Sequence, residues 1–465
     1  MNDDDTIAAI ATATGPGGVG IIRLSGSRAI AIAADALGVA EAALDRRVRL
    51  GWVRAREGAR IDQVLAFAMR APASFTGEDV AELHGHGGGH NLGKLLASVV
   101  ERGARVAAPG EFTRRAVANG KLDLVRAEAL LEVIHAGSER AWRLAQHNLG
   151  GKLGTRVAEI ERRALVVLSE LEGSIDFPED DLAPLEVQWI ATEIEAVRES
   201  CERLADGFRH GRTVTRGIGV ALVGAVNVGK SSLFNALVGS ERALVAPDPG
   251  TTRDWIEASD VWFGIAVTLV DTAGLRATID PIERRGIALG EQRVAAADVV
   301  VVVNDGVATW DDGARYLERA VVVRNKADLG GVARGVSEAI PSVQPRASRG
   351  DRPGDVLSPT PGVLATSATT GEGLEALRRR VLEVAGVADL EGSESEFVTT
   401  ARQQGLAVAA RDAFQAAAAA WAARRPTEVV AVELRQASNA LAQLRGVEVG
   451  ERVLDEVFAR FCIGK

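Results

Sequence analysis

The chain has 465 residues, a net charge of −9 and a pI near 5.4. That length supports about three domains, and the acidic balance argues against a non-specific polyanion binder, whose domain would usually be basic. Two cysteines, Cys201 and Cys462, are too few for a disulfide scaffold and fit a reducing, cytosolic setting. The start, MNDDDT, lacks the basic and apolar regions of a signal peptide, and no apolar run is long enough to span a bilayer. A cytoplasmic protein is therefore expected, with no membrane among its partners.

From the N-terminus to about Asn119, short strand-like runs (IIRLSG, LAFAMRA, DVAELH) alternate with Gly and Pro turns and a few helices, so residues 1–119 read as a small α+β domain. Within it, HGHGGGH sets His84, His86 and His90 in a turn. Zinc is one reading, but no thiolate lies near and only Glu82 and Asp79 could complete the shell. Two basic stretches, Arg46, Arg47, Arg49, Arg54 and Arg56, and Arg209, Arg212 and Arg216, read either as solvated faces or as local RNA-contacting patches. From 120 to 215 the pattern turns helical, with apolar spacings of three and four in LVRAEALLEVIHAG and LGTRVAEIERRALVVLSELEG.

At Gly224 to Ser231 the chain reads GAVNVGKS, led by the apolar residues Ile218, Val220, Leu222 and Val223 and followed by the helical SLFNALVG. This is a phosphate-binding loop in its proper setting. Glycines let successive N–H groups point inward, and the helix N-terminus adds its dipole. Asn227, Val228, Gly229, Lys230, Ser231 and Ser232 line it, with Lys230 reaching the β/γ-phosphates and Ser231 the Mg²⁺.

Between this loop and the next strand, PGTTRD contributes Thr251 and Thr252, the latter able to close over Mg²⁺ as a switch. VTLVDTAG then ends a buried-strand pattern in Asp271, Thr272, Ala273 and Gly274, the Walker B role. In AVVVRNKAD, Asn325, Lys326 and Asp328 cap another apolar strand, and a carboxylate at Asp328 pairs with two N–H groups that guanine has and adenine lacks. Ser367 and Ala368, after VLAT, fit the remaining guanine-contacting turn. Agreement at five places defines an α/β P-loop GTPase domain of Ras-like type over 216–384.

Ras-like enzymes orient water with a Gln after the DTAG segment. Here that residue is Leu275, so an acidic group downstream must serve: Asp280, Glu283 or Glu291. Glu283 is the preferred reading, set against a solvated charge favoured by a helix N-terminus. The stretch 330–361, rich in Gly, Pro, Ser and Arg, reads as a surface loop without an assigned role. ARQQGLAVAARDAFQAAAAAWAARR (401–425) is a strong helix former stopped by Pro426, and more helix follows in 385–465. Helices before and after the α/β unit predict a GTPase domain inserted into a helical domain.

Several segments that GTPases in general do not share resemble the MnmE (TrmE) family of tRNA-modification GTPases. They are DDTIAAIATATGPGGVGIIRLSG, FTGEDVAELHGHGG, PGEFTRRA, GKLDLVRAEA, IDFPED and the C-terminal FCIGK. The resemblance runs the full length. It implies a folate-binding-type N-terminal domain in which Arg23, Glu82, Lys121 and Lys465 hold 5,10-methylenetetrahydrofolate or a formyl derivative; without it, Arg23 and Glu82 would read as an ordinary ion pair. It implies Glu283 as the catalytic residue that orients water.

The same resemblance implies G domains that pair in a homodimer, with K⁺ replacing an arginine finger. Asn227, Ala246, Asp248 and Thr251 are the K⁺ set, Ala246 standing where Ser or Thr is expected and Val226 where Pro is usual. It also implies a partner protein carrying FAD, in a heterotetramer, and tRNA as substrate. The reaction adds a carboxymethylaminomethyl or aminomethyl group at C5 of the wobble uridine, with nitrogen from glycine or ammonium. Cys462 reads as a nucleophile or as a packing residue near the cofactor. The competing class is a ribosome-assembly or other regulatory GTPase switch, which needs neither the folate-type domain nor FCIGK.

Overall fold

The computed structural model describes residues 5–13, 15–176, 184–238, 256–271, 292–305, 319–329, 363–387, 397–447 and 449–465. They form two compact units. One comprises Met1–Leu131, Asn148–Cys201 and Leu406–Lys465, the other Glu132–His147 and Glu202–Gly405.

The first unit holds a six-stranded sheet of β1 (Ile7–Ile10), β2 (Val19–Ser25), β3 (Arg49–Arg54), β4 (Arg60–Met69), β5 (Val80–His86) and β6 (Arg105–Val106), in the order β3-β4-β5-β2-β1-β6. All its pairings are antiparallel except β1 with β6. Alternation decides its faces. Ile22, Leu24, Val64, Ala66, Ala81 and Leu83 turn one way and pack with α1 (Ala29–Leu37) and α2 (Gly89–Val100). Arg23, Glu82 and His84 therefore turn the other way. On that side Phe112 of α3 (Glu111–Ala118) packs with Ile7, Ala9 and Ala107.

Helices α4 (Leu124–His135), α5 (Glu139–Leu149), α6 (Lys152–Asp176), α7 (Pro184–Asp206) and α8 (Phe208–Arg216) follow. In the second unit comes a sheet of β7 (Ile218–Val223), β8 (Ile256–Trp262), β9 (Ile265–Asp271), β10 (Val299–Asn304), β11 (Ala320–Arg324) and β12 (Leu364–Ala365), ordered β12-β11-β10-β7-β9-β8. Every pairing is parallel except β8 with β9. Central strands that are apolar on both faces, such as β10 with VVVVVN, suit a parallel sheet covered by helices. Helices α9 (Lys230–Leu237) and α10 (Leu374–Val384) contribute Leu233, Phe234, Leu377 and Val381 to its core.

The chain ends in α11 (Ala401–Ala422), α12 (Thr427–Arg445) and α13 (Glu451–Phe458). Helix α12 packs along α6, while Phe458 and Phe461 close a small core with Leu124 and Ala127. The chain then turns back onto the first sheet: Ile463 bridges Pro109, and Gly464 takes φ 96. A Cβ there would strike the Ile10 carbonyl, so only glycine lets the terminus approach β1 this closely.

Candidate functional site

An open parallel sheet binds ligands beyond the carboxyl ends of its strands, and in the second unit the described residues expected to hold nucleotide gather there. The phosphate loop leaves β7, and α9 begins at Lys230, so its first-turn N–H groups are available to an anion. Lys230 is only 9 % exposed, and its Nζ donates to the carbonyls of Gly224 at 2.9 Å and Ala225 at 2.7 Å. Burial draws its pKa below the usual lysine range, opposed by the charge of Asp271. Asp271 is buried at the end of β9. Ser231 and Ser232 are exposed on the first turn of α9.

The guanine-type segment is tied directly to this loop. Asn325 is buried, and its Nδ2 donates to the Val228 carbonyl at 3.1 Å while its Oδ1 accepts from the Ala368 amide at 3.3 Å. One side chain thus joins the turns after β7, β11 and β12. A Cβ at Gly229, where φ is 91, would run into that Asn325 amide. Lys326 donates to the Asn227 carbonyl at 2.8 Å and pairs with Asp305, after β10, at 3.0 Å. The Ser367 hydroxyl donates to Asp328 at 2.6 Å and accepts from the Thr370 amide at 3.1 Å. Ala246, Asp248, Thr251, Thr252, Thr272, Ala273, Gly274 and Glu283 lie outside the described residues, as do Asp280 and Glu291.

A second constellation lies in the first unit. Arg23 and Glu82 are register partners on β2 and β5, and Arg23 Nε donates to Glu82 Oε1 at 2.8 Å. The other Glu82 oxygen lies 2.7 Å from His84 Nε2, and Arg23 also donates to the Gly464 carbonyl at 3.4 Å. Burial would raise the Glu82 pKa, but hydrogen bonds and charge from His84 and Arg23 hold it below its usual value. Phe67 stacks at a tilt on His84, with ring centroids 5.3 Å apart. Arg23, Glu82 and the C-terminal segment that ends in Lys465 therefore meet. Lys121 sits on the turn after α3, and its ammonium donates to the Pro72 carbonyl at 2.8 Å. His86 pairs with a different carboxylate, Asp62, at 2.7 Å, and among the described residues no cluster of three or more metal-ligating side chains occurs.

From the sequence alone Asp305 has no assigned role, and His84 is grouped with Glu82 only as zinc ligands, not as a partner in the Arg23–Glu82 pair. Asp305 had a signal, an acidic residue closing the apolar run VVVVVN just as Asp271 closes its strand. His84 lies two residues from Glu82 and so shares its face, which becomes informative only once the sheet register is known.

A mostly parallel sheet with GAVNVGKS at the end of one strand, Asp271 at the next, and NKAD and Ser367-Ala368 turned onto the same loop defines a P-loop GTPase. The chain belongs to the MnmE (TrmE) family. The model of the MnmE helical domain matches residues 124–462 and that of the GTP-binding protein TrmE N-terminus matches 6–121. The tRNA modification GTPase MnmE of Moorella thermoacetica is 39 % identical over 99 % of this chain and 100 % of its own. That of Symbiobacterium thermophilum is 40 % identical over 99 % and 100 %, and that of Parasynechococcus marenigrum 42 % over 100 % of both. Among solved structures, the G domain of the T. maritima FeoB iron transporter is 28 % identical over 36 % of this chain and 98 % of its own, with a TM-score of 0.24. At that score the likeness adds nothing to the fold already described.

Proposed function

We propose that the chain hydrolyses GTP as one component of a tRNA wobble-uridine modification system, working with an FAD-carrying partner protein and a tetrahydrofolate one-carbon donor. The observation that favours this over a regulatory switch is the hydrogen bond from Arg23 to the Gly464 carbonyl, 3.4 Å, which brings the FCIGK end to the Arg23–Glu82 pair. A switch needs only the second unit. The proposed organisation is an N-terminal domain over 1–119, a helical domain over 120–215 and 385–465, and a GTPase domain inserted at 216–384.

In the nucleotide site, Lys230 and the α9 N-terminus hold phosphate charge, and Asp328 selects guanine through paired hydrogen bonds. The exposed Ser231 hydroxyl and the buried Asp271 carboxylate are hard oxygen donors of the kind Mg²⁺ takes, with Thr252 as the proposed further ligand. The ion, when bound, neutralises charge that develops on the phosphates. Glu283 orients the attacking water. Asn227, held at φ 65 in the phosphate loop, is the described member of the K⁺ set completed by Ala246, Asp248 and Thr251. In the first unit a carboxylate held ionised beside a guanidinium suits a pterin ring and its polar edges, with Lys121 and Lys465 available to the glutamyl tail.

The test is steady-state GTP hydrolysis of the purified chain, with Mg²⁺, in KCl and in NaCl at equal ionic strength, alongside Glu283→Ala. Stimulation by K⁺, and loss of turnover with retained GTP binding in the variant, are expected. Equal rates in the two salts would remove K⁺ from the mechanism, and an active Glu283→Ala would remove that residue. Modification of a tRNA transcript by the chain together with its flavin partner and methylenetetrahydrofolate tests the larger reading.

A further inference from the structure

The edge of the first sheet carries charge at odds with the rest of the chain. Between residues 41 and 60 lie six arginines, Arg46, Arg47, Arg49, Arg54, Arg56 and Arg60, against three carboxylates, Glu41, Asp45 and Glu57, in a chain whose net charge is −9. β3 is an outermost strand of its sheet, and all six arginines are exposed on it or on its flanks. Among the described residues none of the six pairs with a carboxylate through its side chain. Arg46 donates to the Ala73 carbonyl, Arg54 to the Gly58 carbonyl at 3.4 Å and Arg56 to the Glu101 carbonyl at 3.3 Å, while Arg60 lies over the Trp52 ring at 4.9 Å. Elsewhere in the same unit arginines are neutralised: Arg102 by Asp35, Arg105 by Glu111, Arg115 by Asp5 and Glu111.

We propose that this β3–β4 edge is an RNA-contacting surface that takes the phosphate backbone of tRNA, a proposal that rests on the tRNA reading given above. Unpaired guanidinium groups keep both their charge and the planar donor fork that matches a phosphate. Trp52, 36 % exposed with Arg60 against its ring, adds a face on which an unstacked base can lie. Exposed Val48 and Leu50 beside it suit a protein contact as well, but a second copy of the chain seated on this surface would set arginine against arginine, and like charges opposed across an interface are costly. Charge complementarity therefore selects the polyanion.

The experiment is fluorescence anisotropy of a labelled tRNA transcript titrated with the full chain over a salt series. The variant Arg49→Ala/Arg54→Ala/Arg60→Ala is compared with Arg162→Ala/Arg411→Ala, which removes one exposed and one half-buried arginine, paired with Glu159 and Asp412, on helices of the same unit. Each phosphate contact contributes about 0.7–0.9 to the slope of log Kd against log salt, so the triple variant should lower that slope by about two and weaken binding by about tenfold or more. The control should match the wild type, and melting and GTP hydrolysis should be unchanged in both. Trp52→Ala should weaken binding with the slope preserved. An unchanged slope and affinity in the triple variant, or an equal loss in the control, overturns the surface. So does a change in sedimentation without a change in tRNA affinity, which would assign the edge to self-association. Wild-type chain that binds no tRNA also overturns it, while GTP hydrolysis would still decide the GTPase reading by itself.

Discussion

Lys326 donates a hydrogen bond to the Asn227 carbonyl across 2.8 Å, and both residues hold left-handed backbones, with φ 60 and 65. Such conformations are uncommon outside glycine and persist only where the surroundings hold them. Here Asp305 holds the other side of the Lys326 ammonium at 3.0 Å, so the NKAD turn and the phosphate loop constrain each other. Lys326→Ala should weaken binding of a fluorescent GDP by about tenfold, the loss expected for one charge-assisted hydrogen bond, and mainly through faster dissociation. Stopped-flow displacement by unlabelled GDP measures it.

Asp328 should set base identity. Asp328→Asn exchanges an acceptor-only group for one that also donates, so guanine loses a partner while xanthine gains one. We expect GTP affinity to fall by about tenfold to a hundredfold, and discrimination against xanthosine triphosphate to narrow or reverse. Competition binding with GTP, ATP and xanthosine triphosphate reads both effects, and an unchanged GTP preference would contradict the assignment.

The Arg23–Glu82 pair yields a prediction in the other unit. Glu82→Gln keeps the shape of the side chain but removes the charge that Arg23 and His84 stabilise. Binding of a tetrahydrofolate, followed by isothermal calorimetry, should weaken by about tenfold or more, with nucleotide affinity unchanged. Equal folate affinity in variant and wild type would show that the pair is only structural.

Acid should weaken the first unit through a buried ionic network. Arg115, 4 % exposed, pairs with Asp5, Glu78 and Glu111. Burial pushes the Asp5 and Glu111 carboxyls up, but the bonds from Arg105 and Arg115 outweigh it and leave both below their usual 3.8 and 4.5. A carboxylate whose pKa is lowered by folding adds stability that is complete above its unfolded value and is lost as pH falls through the native value. Glu111→Gln should therefore lower the melting temperature at neutral pH, by an amount equivalent to about 3 kcal/mol. The gap to the wild type should close on acidification. A gap that stays constant with pH would remove the network from acid stability.

The two thiols should behave differently. Cys201 is buried, and burial pushes its pKa up to about 12, so it holds little thiolate at neutral pH. Cys462 is exposed. In the native chain a thiol-reactive disulfide reagent should titrate one group quickly and the second only on unfolding. Rapid titration of both would contradict the burial of Cys201.

Short-range patterns were legible because they follow local rules. The apolar runs at 218–223 and 320–324, the glycines of GAVNVGKS and the helical spacings of 124–137 and 153–173 reappear as β7, β11, the phosphate loop, α4 and α6. Each depends on a period or a backbone requirement that neighbouring residues carry themselves. The short strands β1 and β6, of four and two residues, offered no such signal, because they are strands only by pairing with β2 and with each other. What tertiary structure alone decided is adjacency. Asn325 reaches Val228 across 97 positions and Arg23 reaches Gly464 across 441, and no periodicity encodes a contact that depends on strand order and on where a chain end turns back. The basic edge stands between these cases: its arginines were plain in the sequence, and their lack of carboxylate partners among the described residues became visible only in the fold.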